Sequence, residues 1–464
     1  MSQTFRTRLI LIGVAFSLLI AALACNLTDN ATTPTLVLRP TATPPPTIGY
    51  ATLSPEELPQ QVPTLAPRTE TQMLSLINQV QTDRLMQNVW TLVNFGTRHI
   101  LSPSNLPDRG IGAARQYVLD QFNQIAVNSR GNFSVDQQPV PVNFAGTNVT
   151  GVNIIGIIPG EEIGGGIIVL GAHYDSITLN VEDGNAYAPG ANDDATGIAA
   201  LLEIARILSQ DRYRATIVFV AFDAEEIGRE GSKIFVDQYV RPQGLDVRAM
   251  INLDIIGSNT APNGAIDLTS IRVFSEGPND SASRRLARSL GLLAQQYMPD
   301  LRIYVENSVD RPTRYGDHMS FSDAGYPAVR FIETLEDTNR QHTDLDNMDD
   351  IQPGYLTQNT QMLLTLLLSL ADGPRPPSNI VLREEGNGLR TLLWDPVPDA
   401  AAYIIAFRRP GSTEYAQALR WADVSNRSVT WDGFIPQNFE AVAIATENSR
   451  GVVGPLSSEY IIIR

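Results

Sequence analysis

His173-Tyr-Asp175, Asp193-Asp194, Glu225-Glu226 and Asp254 are the places in this 464-residue chain where residue type and spacing could do chemistry. Together they offer one imidazole and several carboxylates. Unpaired carboxylates repel one another at close quarters, and a divalent cation is the usual reason they are tolerated together. The chain has only four histidines (His99, His173, His318 and His342) and one cysteine, so a transition-metal site must draw most of its ligands from Asp and Glu. The lone cysteine also excludes an internal disulfide and any multi-cysteine zinc or iron-sulfur cluster. Each cluster alone has a plainer reading: a hydrogen-bonded His-Asp pair, an N-cap at Asp193-Asp194, or an acidic helix start at Glu225-Glu226 that suits the positive end of the helix dipole. What separates the readings is where the clusters sit.

The elements that must position them alternate between strand and helix from about Thr71 to Ala371. Apolar runs rich in Val and Ile at 153–158, 167–171, 216–222, 250–256 and 328–332 predict strands, and helix-period stretches at 195–208, 281–293 and 355–370 lie between them. Strands that are apolar throughout are buried on both faces, so the pattern predicts an α/β domain with a mostly parallel central sheet flanked by helices. Ligands of such sheets sit outside the carboxyl ends of the strands. His173 and Asp175 follow one run, Glu225-Glu226 follow a second, Asp254 closes a third, and Asp193-Asp194 open the helix that begins near Ala195. One edge of one sheet therefore gathers the histidine and the carboxylates.

The ordered series His173-x-Asp175, Gly190-Ala-Asn-Asp193-Asp194-x-x-Gly197, Glu225-Glu226, Asn252-x-Asp254 and His342-Thr343-x-x-Asp346 resembles the co-catalytic di-zinc aminopeptidase family, of aminopeptidase Y/S type and related to glutamate carboxypeptidase and glutaminyl cyclase. The resemblance spans roughly Val80 to Leu370. It implies a zinc-exopeptidase fold with two zinc ions, His173 and Asp254 binding one, Glu226 and His342 the other, and Asp193 bridging both. It further implies that Asp175 supports catalysis by orienting the His173 ring, that Asp194 shapes its turn, and that Glu225 is the general base, taking a proton from water and passing it to the leaving amine.

Other residues carry weaker versions of the same likeness. Gly316-Asp317-His318-x-x-Phe321 resembles a family segment beside the substrate pocket that usually begins with Ser, which makes Asp317 and His318 substrate-binding candidates; a His318 that merely satisfies a buried hydrogen bond is the equal alternative. Gly96-Thr-Arg98-His99 resembles another family element, with a helix cap or salt bridge as its plain reading. Gln341 stands where Tyr is common, and Arg314 and Arg340 are the cations that could hold a free carboxylate in a carboxypeptidase.

The ends of the chain read differently. Arg6 and Arg8, the uncharged apolar run from Leu9 to Ala24 and the small residues before Cys25 follow the order of a secretory signal over residues 1–25. Ala22-Leu23-Ala24-Cys25 resembles a bacterial lipobox, with Ala22 where Leu is typical, and implies lipidation at Cys25 and a cell-surface lipoprotein tethered to the membrane. An uncleaved anchor and a plain signal peptide are the alternatives, and all three put the rest of the chain outside the cytoplasm. Residues 26–70 are rich in Pro and Thr and read as a semi-rigid stalk. A zinc peptidase domain is expected at 71–373. After Pro374-Arg-Pro-Pro377, residues 374–464 resemble a fibronectin type III sandwich through Leu392-x-Trp394-x-Pro396, Tyr403 to Ala406 and Phe439-x-Ala-Val-Ala443, serving either as a spacer or as a docking module for a surface polymer or protein.

Composition narrows the partners. With 34 Lys plus Arg against 50 Asp plus Glu, a net charge of -16, the chain gains nothing from counterion release and is not expected to bind nucleic acid. At 43% hydrophobic and 18% charged it can bury a real core. No Gly-x-Ser-x-Gly elbow supports a serine hydrolase. The expected activity is that of an extracellular zinc-dependent aminopeptidase acting on peptide substrates. A carboxypeptidase of the same family and a catalytically inactive surface-binding protein are the alternatives.

Overall fold

A strand with no polar break along its length needs cover on both faces. The computed structural model describes residues 71–463 and meets that requirement in the middle of an eight-stranded sheet. Helices α1 (Thr71–Ile77), α2 (Thr82–Asn94) and α3 (Gly110–Asn128) precede strands β1 (Ser134–Phe144), β2 (Thr147–Ile158) and β3 (Ile167–His173). Then come α4 (Thr196–Leu208), β4 (Thr216–Phe222), α5 (Glu230–Ile234), β5 (Val247–Leu253), β6 (Ser270–Ser275), α6 (Ala282–Tyr297), β7 (Arg302–Val305), α7 (His318–Asp323), β8 (Ala328–Glu333) and α8 (Pro353–Asp372). The strand order is β1-β2-β4-β3-β5-β8-β6-β7.

Side chains alternate between the faces as a period of two requires. Ile168, Leu170 and Ala172 of β3 and Ile217, Phe219 and Ala221 of β4 join the core formed with α2, α4 and α8. Val169, Val218, Val220 and Phe222 face a second core that includes Phe235, Val240 and Phe321. The neighbours β4, β3, β5 and β8 are parallel. From β3 the chain moves to β4 on one side and later to β5 on the other. That reversal opens a crevice at the carboxyl end of β3.

The flanks depart from the expected parallel pattern: β1 and β2 form an antiparallel hairpin that also meets β4 antiparallel, and β6 runs antiparallel to β8. The reason lies in composition. β1 carries Pro139 and Pro141 and is largely exposed, which suits an edge strand and leaves no apolar run to notice. β5 stops at Leu253, because Ile255 takes a left-handed backbone (φ 63°) and turns the chain out of the sheet.

Beyond α8, β10 (Leu389–Leu393) pairs with β9 (Val381–Gly386) and β13 (Ser428–Trp431), while β11 (Ala400–Arg408), β12 (Tyr415–Trp421), β14 (Ala441–Asn448) and β15 (Tyr460–Ile461) form a four-stranded antiparallel sheet. Trp394, Tyr403, Phe407, Trp431 and Phe439 fill the space between the two sheets. The outer face of the four-stranded sheet is buried as well: Ile404, Ala406, Ala443 and Ala445 belong to the core shared with α2, α4 and α8. Tyr297 of α6 donates its hydroxyl to Gly451 O (3.2 Å) and accepts from Val453 N (2.8 Å). The sandwich is thus packed against the eight-stranded domain through that face. Cys25, the signal-like segment and the Pro/Thr-rich stretch lie outside the described residues.

Candidate active site

β3 ends on His173, with its ring buried in the crevice. Its Nε2 lies 3.1 Å from Asp193 Oδ1 and 3.8 Å from Asp254 Oδ1. On a separate loop, His342 Nε2 lies 3.3 Å from Asp193 Oδ2 and 3.1 Å from Glu226 Oε2. Two groups of potential metal ligands result, His173-Asp193-Asp254 and Asp193-Glu226-His342, each with its ligand atoms within 4.8 Å of one another. Asp193 belongs to both and offers a different oxygen to each.

Charged side chains held by backbone donors fix these positions. Asp175 accepts from the backbone N–H groups of Glu225 and Glu226, both at 3.1 Å, while its Oδ1 is 3.4 Å from His173 Nδ1. One carboxylate therefore sets the His173 ring and the Glu pair together. Asp194 accepts from His173 N (3.3 Å), Gly197 N (3.0 Å) and Ile255 N (3.3 Å), joining the ends of β3 and β5 to the start of α4. Asp346 accepts from Asn192 N (2.7 Å) and Asp193 N (3.1 Å), and its carboxyl is pushed up to about 7 by burial and the Asp193 charge.

Arg98, fully buried, donates to Tyr174 O (2.7 Å), Pro189 O (2.5 Å) and Gly190 O (2.9 Å), holding the chain that leads to Asp193. Gly190 is required there. Its φ of 51° is left-handed, and a Cβ would come within 2.7 Å of Arg98 Nη2. Of the Gly96-Thr-Arg98-His99 element, Arg98 supports the site directly, while His99 accepts from Leu101 N (3.0 Å) and pairs with Val181 O (3.0 Å) in a loop.

Charge at the centre is out of balance. Burial pushes the Glu225 carboxyl well above the glutamate range; Asp317, Asp254 and Glu226 add to the rise and His173 opposes it. The Glu226 and Asp193 carboxylates hold His342 up at about 11 against burial. Glu226 Oε1 and Asp254 Oδ1 are buried without a hydrogen-bond donor. Buried acceptors left bare cost free energy unless a cation or donor meets them. Two imidazoles and three carboxylates with bare oxygens turned inward are the donor set of a catalytic zinc site.

Residues 153–367 match Peptidase family M28. A probable zinc metalloprotease of Pyrenophora tritici-repentis is 32% identical over 392 residues, covering 77% of this chain and 89% of the relative. The chain belongs to peptidase family M28. A probable zinc metalloprotease of Pyricularia oryzae is also 32% identical, over 75% of this chain and 77% of its own length. The M28 domain shares its fold with the LapA aminopeptidase of Legionella pneumophila (TM-score 0.52, 22% identity, 64% of this chain and 75% of that one) and with LapB of the same organism (TM-score 0.51, 22% identity, 68% and 81%). Family membership makes the protein a zinc-dependent metallopeptidase, and the donor set fits that metal.

The M28 site opens to solvent through a pocket of about 290 Å³ lined by Asp193, Glu225, Glu226, Asp254 and His342 together with Arg229, Arg311, Arg314, Tyr315 and Arg330. Asp317 and His318 are fully buried and do not line it. His318 Nε2 pairs with Val309 O (2.8 Å), and Asp317, pushed up to about 7 by burial, lies behind the Glu225 wall. At Gly316 the backbone passes close to the site: a Cβ would be 2.9 Å from Asn252 Nδ2 and 3.1 Å from Asp254 Oδ2. Arg340 pairs with Asp350 (3.4 Å) and Asp337 (3.6 Å), away from the pocket.

Sequence reasoning passed over Arg330 and Glu333. Arg330 Nη2 lies 2.9 Å from Asp254 Oδ2 and its Nη1 3.1 Å from Asp310 Oδ2; Glu333 accepts from Asn192 Nδ2 at 2.8 Å. A signal existed. An arginine inside the apolar run Ala328–Glu333 is tolerated only if carboxylates await it in the core.

Proposed function

We propose that this metallopeptidase is an aminopeptidase that works with two zinc ions, one in each ligand group. The observation that carries the reading is Asp193, whose two carboxylate oxygens face two different His-carboxylate groups. The likeness of fold to a protein named an aminopeptidase supports the exopeptidase assignment. When bound, zinc polarises the scissile carbonyl and makes water nucleophilic near neutral pH. Glu225 stands in the pocket wall with its backbone fixed by Asp175. It takes the proton from the attacking water and releases it to the departing amine. Arg330 holds Asp254 in register, and Asp175 keeps the His173 ring aimed at Asp193.

We further propose that the chain works outside the cell, tethered through a lipidated Cys25. The lipobox-like residues support this. The sandwich is read as fibronectin type III-like from its three- and four-stranded sheets. One face of it is covered by the M28 domain, so docking to a polymer or protein would use the three-stranded sheet.

The decisive assay measures hydrolysis of aminoacyl-anilides and N-blocked peptides before and after chelation, with zinc restored. Activity on free N-termini that disappears with chelator and returns with zinc is expected, and cleavage of blocked peptides alone would overturn the aminopeptidase reading. Glu225→Gln is expected to keep its zinc and lose about 10²- to 10⁴-fold in kcat.

A further inference from the structure

Four arginines line the pocket, and they are not equivalent. Arg330 is bound to Asp254 and Asp310, and Arg311 to Asp310 and Glu336. Arg314 has no carboxylate partner among the described residues. It donates through Nη1 to Gln341 Oε1, and its Nη2 lies 3.4 and 3.3 Å from the Nδ1 and Nε2 atoms of His342. These two distances set the guanidinium directly against the imidazole of His342. Arg229 enters no ion pair among the described residues either, and its Nη1 is buried without an acceptor. The acidic residues lining the pocket are Asp193, Glu225, Glu226 and Asp254, the ligand groups and the base.

We propose that Arg314, assisted by Arg229, binds a carboxylate of the peptide substrate within about one residue of the scissile bond. The inference rests on the peptidase reading above and deepens it. A guanidinium with free donors matches a carboxylate with two parallel hydrogen bonds. His342 Nε2 is 3.1 Å from Glu226 Oε2, so a group seated on Arg314 is beside the reacting centre. A residue spans about 3.5 Å of chain, which keeps the bound carboxylate on a residue adjoining the bond that breaks. Two sources share this chemistry: the side chain of a substrate Asp or Glu, and the α-carboxylate at the end of a dipeptide. A substrate lysine or arginine would meet the same two cations and be disfavoured.

The test uses the full zinc-loaded chain and matched peptides, Glu-Ala-amide against Gln-Ala-amide and Ala-Ala against Ala-Ala-amide. The charged member of one pair is expected to exceed its neutral twin by about 10- to 100-fold in kcat/KM, as befits a hydrogen bond to a charged group. Preference within the first pair names the side chain as the source, and within the second the chain terminus. Arg229→Met/Arg314→Met is expected to bring the ratio close to one. Calorimetric binding of the same peptides to zinc-loaded Glu225→Gln should show the same preference, which tests the arginines even if turnover of every peptide is slow. Equal treatment of charged and neutral twins, or a preference that survives the double substitution, overturns the proposal. Failure to hydrolyse any peptide in the presence of zinc would instead count against the peptidase reading.

Discussion

Where α6 meets the sandwich, Arg288 Nε lies 3.0 Å from Glu459 Oε1, and Arg408 meets Glu459 at 2.9 Å and Glu440 at 2.9 Å. At the carboxyl ends of β3, β4 and β5, by contrast, Asp175, Asp193, Asp194, Glu225, Glu226, Asp254 and Asp346 crowd around two histidines, with Arg98 and Arg330 as the buried cations that support them. Both clusters are buried and both are built from charge. In the first, each carboxylate faces a guanidinium, so the charges are matched even though Arg288 Nε and Nη1 make no hydrogen bond. In the second, carboxylates exceed cations, and Glu226 Oε1 and Asp254 Oδ1 accept no hydrogen bond. Matched buried charge can serve architecture alone, whereas a surplus of one sign points to something that is meant to bind.

The most severe way to break that contrast is to remove the oxygen donor shared by both ligand groups. Asp193→Ala is expected to abolish turnover and to lower the zinc content at both positions, measured by metal analysis of protein purified in excess zinc. Full zinc retention by that variant would contradict the assignment of Asp193 to both groups. Removal of the metal by chelator should reproduce the loss of activity without touching the seam, so that the sandwich stays packed on α6.

The matched cluster fails in another way. Glu459→Leu leaves Arg288 and Arg408 buried with less compensation, and breaking a buried pair from one side costs about 3–5 kcal/mol. Urea unfolding of the zinc-loaded protein should show that loss, with kcat per folded molecule unchanged. Replacing Arg288, Arg408 and Glu459 together by apolar residues of similar size is expected to recover most of the stability, because a matched network can be exchanged for packing. No such exchange can succeed at the strand ends. An unchanged unfolding midpoint for Glu459→Leu would mean that the seam is not held by charge.

The same contrast explains what could be seen in the sequence. β3, β4 and β8 are legible because strands covered on both sides read as unbroken apolar runs, and His173, Asp193, Glu226 and Asp254 are legible because each lies at or just beyond a strand end or helix start. β1 was hidden by its prolines and exposed polar residues, and the close packing of the sandwich was hidden because the small residues Ala443 and Ala445 read equally well as an isolated strand. The long-range partners were harder still. Asp346 is named by the motif His342-Thr343-x-x-Asp346, but its hold on Asn192 and Asp193, across more than 150 positions of sequence, is not written there. Which backbone or side-chain group each such residue supports is fixed by the fold, so it becomes visible only once the fold is known.

Asp175 is where the two kinds of cluster can be compared most finely, because it behaves as a matched residue inside the unmatched site. One oxygen is beside the His173 ring nitrogen and takes the Glu225 N–H, and the other takes the Glu226 N–H. Asp175→Asn keeps the size and one carbonyl acceptor but turns the other position into a donor. That donor faces either a backbone N–H or the His173 Nδ1 proton, and both contacts are repulsive. If the loss falls on the ring, zinc affinity should drop by about 10- to 100-fold while kcat at saturating zinc holds, as seen for partners that orient metal-bound histidines. If it falls on the Glu pair, kcat should fall even with zinc saturated, because the backbone that aims Glu225 has shifted. A zinc titration of activity separates the two, and an unchanged curve would show that neither His173 nor Glu225 depends on Asp175 for its position.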